Sequence, residues 1–177
     1  DRYSAGNFAA GGTIPETGVS EGGINTGVEM TPEPGVKVWR AVPCDLAFPC
    51  ACENEVDADD ARALSANGCI ALFEGANMAC TRGAVELVRA AGMIFGPSKA
   101  CSAGGVAVSA LEMTQTATFK QWWPSKVEKE FNCIMEHVFR QCLDSANYFQ
   151  LGNNLSAGAT IAAFLNLADA MMLQGAV

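Results

Sequence analysis

The chain has 177 residues, enough for one domain with a sizeable core. Half of them are hydrophobic, which excludes disorder throughout, and the net charge of −8 argues against nucleic acid or an anionic membrane as the main partner. No apolar run reaches the roughly 18 to 20 residues that span a bilayer, and no signal peptide opens the chain, because Asp1-Arg2-Tyr3-Ser4 is polar with no apolar core behind it.

Residues 1–37 form a Gly/Pro-rich segment without helical or strand period, read as mostly loop. From Cys44 onward element types alternate. Cys44 to Pro49 reads as a short buried strand. Asp57 to Asn67 reads as a helix with Asp57 as its N-cap and Gly68 as its stop. Ile70 to Phe73 is a second strand, Thr81 to Ala91 a second helix closed by Gly92, and Met93 to Phe95 a third strand. Strands alternating with helices of about ten residues predict βαβ units and a parallel sheet.

The final third is helical. One segment runs from Ser102 to about Thr118. A second opens after Pro124, where Ser125 and Glu128 have capping-box spacing and Val127, Phe131, Ile134, Val138 and Cys142 share an apolar face. A third is capped by Ser156 and ended by Gly175, with Ile161, Phe164, Leu165, Ala168 and Met172 on its core-facing side. The fold class is therefore α/β: a partial Rossmann-like doubly wound parallel sheet followed by C-terminal helices.

Eight cysteines allow a disulfide framework, a metal site on Cys44, Cys50, Cys52, Cys69 and Cys80, or reduced thiols. The third reading is preferred, since their density is below that of disulfide scaffolds and no C-x-x-C pair occurs. Cys69, Cys133 and Cys142 sit in apolar patterns, where a thiol behaves as a small hydrophobe. No metal site is expected.

In open parallel sheets, ligands bind beyond the carboxyl ends of the strands. Three polar loops have that position: Pro49 to Glu55, Glu74 to Met78, and the turn at Gly96-Pro97. Together they predict one crevice, without naming its ligand. The Gly96 turn leads through Ser102, Gly104 and Gly105 into a helix start, where backbone N–H groups can hold an anion. Each residue also has a plain structural role available. Asn77 can satisfy a tight turn, Ser109 can bond a carbonyl one turn back, and Ser102 can be an N-cap. Gly104 and Gly105 can serve helix packing. Glu53 and Glu55 read as solvated rather than as an acid–base pair, and His137 as structural.

These loops resemble one family in order. Pro49 to Glu55 is similar to P-C-A-T-Q-N-E, with Cys52 and Glu53 in place of Thr and Gln. Glu74 to Met78 matches E-G-A-N-M. Lys99 to Met113 resembles K-A-A-N-A-G-G-V-A-T-S-G-L-E-M, and Gly158 to Phe164 resembles G-A-N-I-A-G-F. The likeness runs from about residue 38 to 177. It is to the C-terminal, cofactor-domain part of the small hexameric NADP-type glutamate dehydrogenases, within the Glu/Leu/Phe/Val dehydrogenase family. The resemblance implies oxidative deamination of L-glutamate to 2-oxoglutarate and ammonia, reversibly, by hydride transfer to NADP (or NAD), through 2-iminoglutarate. It implies a homo-oligomer, a hexamer, in the cytoplasm, with neither nucleic acid nor membrane as partner.

Carried over by position, Asn77 contacts the nicotinamide-side ribose, and Ala51 and Cys52 line the cofactor groove. Ser109 binds the side-chain carboxylate of glutamate, and Val106 shapes the pocket beside it. Ser102 stands where the family has an Asn that holds the nicotinamide carboxamide. The serine at 109 favours glutamate over the branched and aromatic substrates of the related leucine and phenylalanine dehydrogenases.

No G-x-G-x-x-G segment occurs, and the family's acid–base lysine and aspartate belong to an upstream substrate domain that nothing here resembles. No catalytic residue is therefore expected within residues 1–177, and this stretch is expected to be inactive in isolation. The alternatives are a truncated, non-catalytic paralogue that binds cofactor or a partner subunit, and a leucine/phenylalanine-type enzyme.

Overall fold

The computed structural model describes residues 37–175. The Gly/Pro-rich segment, save Lys37, lies outside them. The chain divides into two compact units, one ending at Ile94 and one beginning at Phe95.

The described part of the first unit opens with a four-residue helix, α1 (Val38–Ala41), which the sequence pattern does not announce. It continues through β1 (Leu46–Ala47), α2 (Ala58–Ala66), β2 (Ala71–Phe73) and α3 (Arg82–Ala90) to the start of β3 (Ile94–Gly96). The strands form one sheet in the order β1-β2-β3. β1 and β2 run parallel, with Leu46 opposite Ala71 and Ala47 opposite Leu72. The α/β expectation holds, although β1 and β2 are shorter than the apolar runs that announced them and β3 is shifted by one residue. Leu64, Leu72, Val56 and Val88 are wholly buried and form the centre of the unit.

Local chemistry explains the helix ends. The Asp57 carboxylate accepts the N–H groups of Asp59 and Asp60, and the Asp60 carboxylate accepts the Asp57 N–H in return. This reciprocal cap satisfies donors that a helix start leaves open. Thr81 caps α3 by accepting the Ala84 N–H. Gly68 and Gly92 stop α2 and α3 at φ of 86° and 77°, a left-handed backbone that favours glycine.

Asp60 is fully buried and forms ion pairs with Lys37 Nζ at 2.6 Å and Arg40 Nε at 2.5 Å. Both cations also reach Asp57, at 2.9 and 3.1 Å. Four charges thus fasten α1 to α2. Hydrogen bonding to Lys37 and to the Asp60 amide holds the Asp57 carboxyl well below the usual carboxylate range, against the opposing pull of burial.

The second unit contains α4 (Ser98–Cys101), α5 (Ala103–Thr118), α6 (Pro124–Tyr148) and α7 (Leu155–Gln174). Two capping expectations fail here. The N-cap of α6 is Trp123, with Pro124 at the first helical position, and Ser125 makes no cap. A proline there needs no hydrogen-bond donor and presets φ, so the helix starts without a side-chain cap. The N-cap of α7 is Asn154, whose side chain accepts the Ala157 N–H; Ser156 lies inside the helix. Ser102 is the N-cap of α5 as expected, with helical backbone angles and no side-chain cap bond.

The apolar face of α6 is turned inward as expected, from half-buried Val127 and Phe131 to buried Cys142. Cys133 is exposed, contrary to its apolar setting in sequence. Helices α6 and α7 pack so closely that a Cβ on Gly158 would lie 1.9 Å from the Cys142 carbonyl oxygen. Beyond that crossing the expected core face of α7 is largely uncovered: Phe164 and Met172 are exposed by 62% and 76%. By length and composition alone α7 could also cross a membrane, with a mean hydropathy of 1.4. That corrects the expectation that no segment reaches that length. Isolated polar residues interrupt its apolar runs, yet Asp169 is its single charged residue.

Candidate functional site

The parallel register brings the carboxyl ends of β1 and β2 to one end of the sheet, so the loops that follow them leave side by side. Phe48 and Phe73 stack at that end with ring centroids 5.5 Å apart. The loops are then joined along their length. Pro49 O accepts the N–H groups of Gly75 and Ala76 at 2.9 and 3.1 Å. Asn54 N–H donates to Met78 O at 2.9 Å, Val56 N–H to Ala79 O at 2.9 Å, and Thr81 N–H to Val56 O at 3.0 Å. A Cβ on Gly75 would sit 2.3 Å from Cys50 Sγ, so a larger residue there would have to displace the Cys50 side chain for the loops to stay this close.

Three of the anticipated residues lie on these loops. Ala51, Cys52 and Asn77 are all exposed, Asn77 in the turn at 76–78. The Ala51 N–H donates to the Glu55 carboxylate at 3.0 Å. Glu55 is half-buried and braces the loop rather than standing in solvent, while Glu53 is exposed as expected. The sequence pattern missed Glu74, which is buried and accepts the Cys80 N–H at 2.9 Å. Its signal was a charged residue directly after an apolar strand, where burial needs a partner.

The cysteines here are all free thiols. Burial, and then the neighbouring Cys69, push the Cys44 thiol up to about 11. Burial also raises Cys50, with Glu55 adding to it and the Gly75 amide opposing. Cys80 is raised further, by burial first and by Glu74 second. These thiols stay protonated and poorly nucleophilic at neutral pH. Among the described residues no group of His, Cys, Asp and Glu could hold a metal ion.

The other anticipated residues lie in the second unit. The buried Gly96-Pro97 turn leads into α4, and Ser102 joins α4 to α5. Ser102, Val106 and Ser109 are spaced by four and then three residues along α5 and share one exposed face, with Val106 73% exposed. The buried positions of α5, Ala107 and Leu111, lie on another face. The Ser109 hydroxyl donates to Gly105 O at 3.0 Å, the turn-back bond that its helical position allows. The paired glycines divide their roles: a Cβ on Gly104 would meet the Phe131 ring at 3.2 Å, whereas Gly105 has nothing within 4 Å. Lys99 Nζ donates to Thr160 Oγ1 at 3.0 Å and ties α4 to α7, a contact between two motifs that sequence spacing could not show. His137 is exposed on α6.

Residues 16–175 match the family model of the glutamate/leucine/phenylalanine/valine dehydrogenases. The chain belongs to this family. It is 44% identical over 143 residues to the NADP-specific glutamate dehydrogenase of Salmonella typhimurium, covering 81% of this chain and 32% of that protein. It is 42% identical over 143 residues to the glutamate dehydrogenase of Bacteroides thetaiotaomicron, with the same coverages. The crystal structure of Plasmodium falciparum glutamate dehydrogenase superposes with a TM-score of 0.77 at 44% identity, over 80% of this chain and 30% of that one. The chain therefore spans about a third of the length of these dehydrogenases. The family match begins inside the Gly/Pro-rich segment, ahead of the motifs that carry the resemblance.

In the first unit the exposed Asn77 amide is a group of the kind that pairs with ribose hydroxyls, and in the second the exposed Ser102 hydroxyl is one that can pair with an amide. Serine supplies a hydroxyl where the dehydrogenase motif has an amide, and so reaches less far and offers fewer simultaneous hydrogen bonds.

Proposed function

We propose that the full-length polypeptide carrying this sequence is a glutamate dehydrogenase. It would convert L-glutamate reversibly to 2-oxoglutarate and ammonia, with NADP favoured over NAD. The observation that carries the reading is the exposed face of α5, on which Ser102, Val106 and Ser109 fall together at the positions of the dehydrogenase motif. The bound nicotinamide would accept the hydride from the substrate α-carbon.

In this reading the chain's residues bind and orient. Asn77 holds the nicotinamide-side ribose, and Ala51 and Cys52 line the groove beside it. Ser102 faces the carboxamide. Val106 gives the substrate pocket an apolar wall. Ser109 turns its hydroxyl from Gly105 O to the side-chain carboxylate of glutamate, exchanging a neutral acceptor for a charged and stronger one. The acid–base groups belong to the remaining two thirds of the polypeptide. Names of the related proteins support the choice of glutamate and of NADP. A cytoplasmic homo-hexamer is part of the same proposal.

The test is turnover by the full-length polypeptide with glutamate and NADP, and with 2-oxoglutarate, ammonia and NADPH. Ser109→Ala is expected to lower kcat/KM for glutamate by about tenfold or more, the worth of a hydrogen bond to a charged group. Unchanged glutamate use would count against this role of Ser109, and turnover of leucine or phenylalanine in place of glutamate would point to a leucine/phenylalanine-type enzyme. NADPH binding without any turnover would instead establish a non-catalytic paralogue.

A further inference from the structure

Glu74 has no role in the site as carried over from the dehydrogenase motifs, yet it is 5% exposed at the base of the Asn77 loop. A buried carboxylate is costly unless its hydrogen bonds are made. Glu74 Oε1 accepts the Cys80 N–H at 2.9 Å, which joins the two ends of the 74–80 loop across the turn that carries Asn77. The Cys80 thiol lies against the same carboxylate.

The rest of that turn is held from the neighbouring loop. Gly75 and Ala76 donate to Pro49 O, and Met78 O accepts the Asn54 N–H. Met78 and Asn54 have φ of 47° and 56°, a left-handed backbone that is costly for a methionine and persists only where surrounding bonds impose it. Asn77 is bracketed by these restraints, and Glu74 is the charged side chain that supplies one of them.

We propose that Glu74 is a positioning residue for the dinucleotide: its carboxylate fixes the 75–79 turn, and through it the Asn77 amide, for contact with the nicotinamide-side ribose. This rests on the cofactor reading of Asn77 given above. Its content is that dinucleotide affinity depends on a buried group that never touches the dinucleotide.

The experiment uses the full-length polypeptide, with NADPH affinity read by fluorescence titration and KM for glutamate by steady-state kinetics. Glu74→Ala is expected to weaken NADPH binding about tenfold while glutamate KM stays within about twofold. Glu74→Asp keeps the charge but withdraws it from the Cys80 amide, and is expected to weaken NADPH about threefold; it carries the test if the alanine variant does not fold. In an Asn77→Ala background, either Glu74 substitution should add less than about twofold, because both act on one contact. The inference is overturned if both Glu74 variants bind NADPH like the wild type, if NADPH affinity and glutamate KM worsen alike, or if the effects multiply in the double variant. A silent Asn77→Ala would overturn the cofactor reading together with the inference. An effective Asn77→Ala beside silent Glu74 variants would overturn the inference alone.

Discussion

The two units hold themselves together by different means. In the first, neighbouring loops are stitched by backbone hydrogen bonds, a reciprocal carboxylate cap and a four-charge cluster, around residues such as Leu64 and Leu72 that are wholly buried. In the second, helices meet at small residues, Gly104 against Phe131 and Gly158 against Cys142, and much of the apolar surface beyond those points is exposed. Directional bonds fix loops to fractions of an ångström, which suits the turn bearing Asn77. Small residues fix how closely two rigid helices lie, which suits a face such as that of Ser102, Val106 and Ser109.

The contrast breaks first at Gly158. Gly158→Ala places a methyl group into the Cys142 carbonyl, and because the obstacle is backbone the helices must part. A loss of about 3 kcal/mol in urea unfolding is expected. A loss below about 1 kcal/mol would mean that the α6–α7 crossing is loose.

Asp60→Ala tests the first unit's device. It removes the acceptor of Lys37, Arg40 and the Asp57 amide at once. The two cations are each about two-fifths exposed and regain water, so the expected loss is about 2 kcal/mol rather than that of a stranded buried charge.

The cluster also predicts a pH dependence. The folded pKa of Asp57 is depressed, so its contribution is present above the unfolded value of about 3.9 and is lost as pH falls through the lower folded value. Asp57→Asn keeps a capping side chain but cannot titrate. Unfolding midpoints measured from about pH 5 down to about pH 2 should fall less steeply for this variant than for the wild type; parallel curves would remove Asp57 from the acid response.

The smallest effect is expected at Gly105, where the contrast within the glycine pair sharpens. Gly105→Ala meets nothing within 4 Å and should stabilise α5 by about 0.5–1 kcal/mol, read as a raised Tm. Gly104→Ala must displace the Phe131 ring and should not share that gain.

The βαβ alternation, the stops at Gly68 and Gly92 and the Asp57 cap were legible because each depends on residues within one turn of one another. The Ser125 and Ser156 caps were misread for the same reason reversed. Pro124 and Asn154 nearby offered competing starts, and spacing alone does not rank them. The inward face of α6 followed from its period, whereas the matching stripe on α7 did not stay covered, because a period names a face but not what lies against it.

At the site, the sequence by itself determined which residue types stand at the ends of the strands and along α5, since the motifs are contiguous and their order carries the family. Only the tertiary structure decided that Glu74 is buried beneath the Asn77 turn, that Lys37 and Arg40 converge on Asp60, and that a Cβ would meet the Cys50 thiol at Gly75 and the Cys142 carbonyl at Gly158. Each of these joins segments distant in the chain or depends on how closely two backbones pack. Local propensity is blind to such distances, which are set when the sheet and helices close on their shared core.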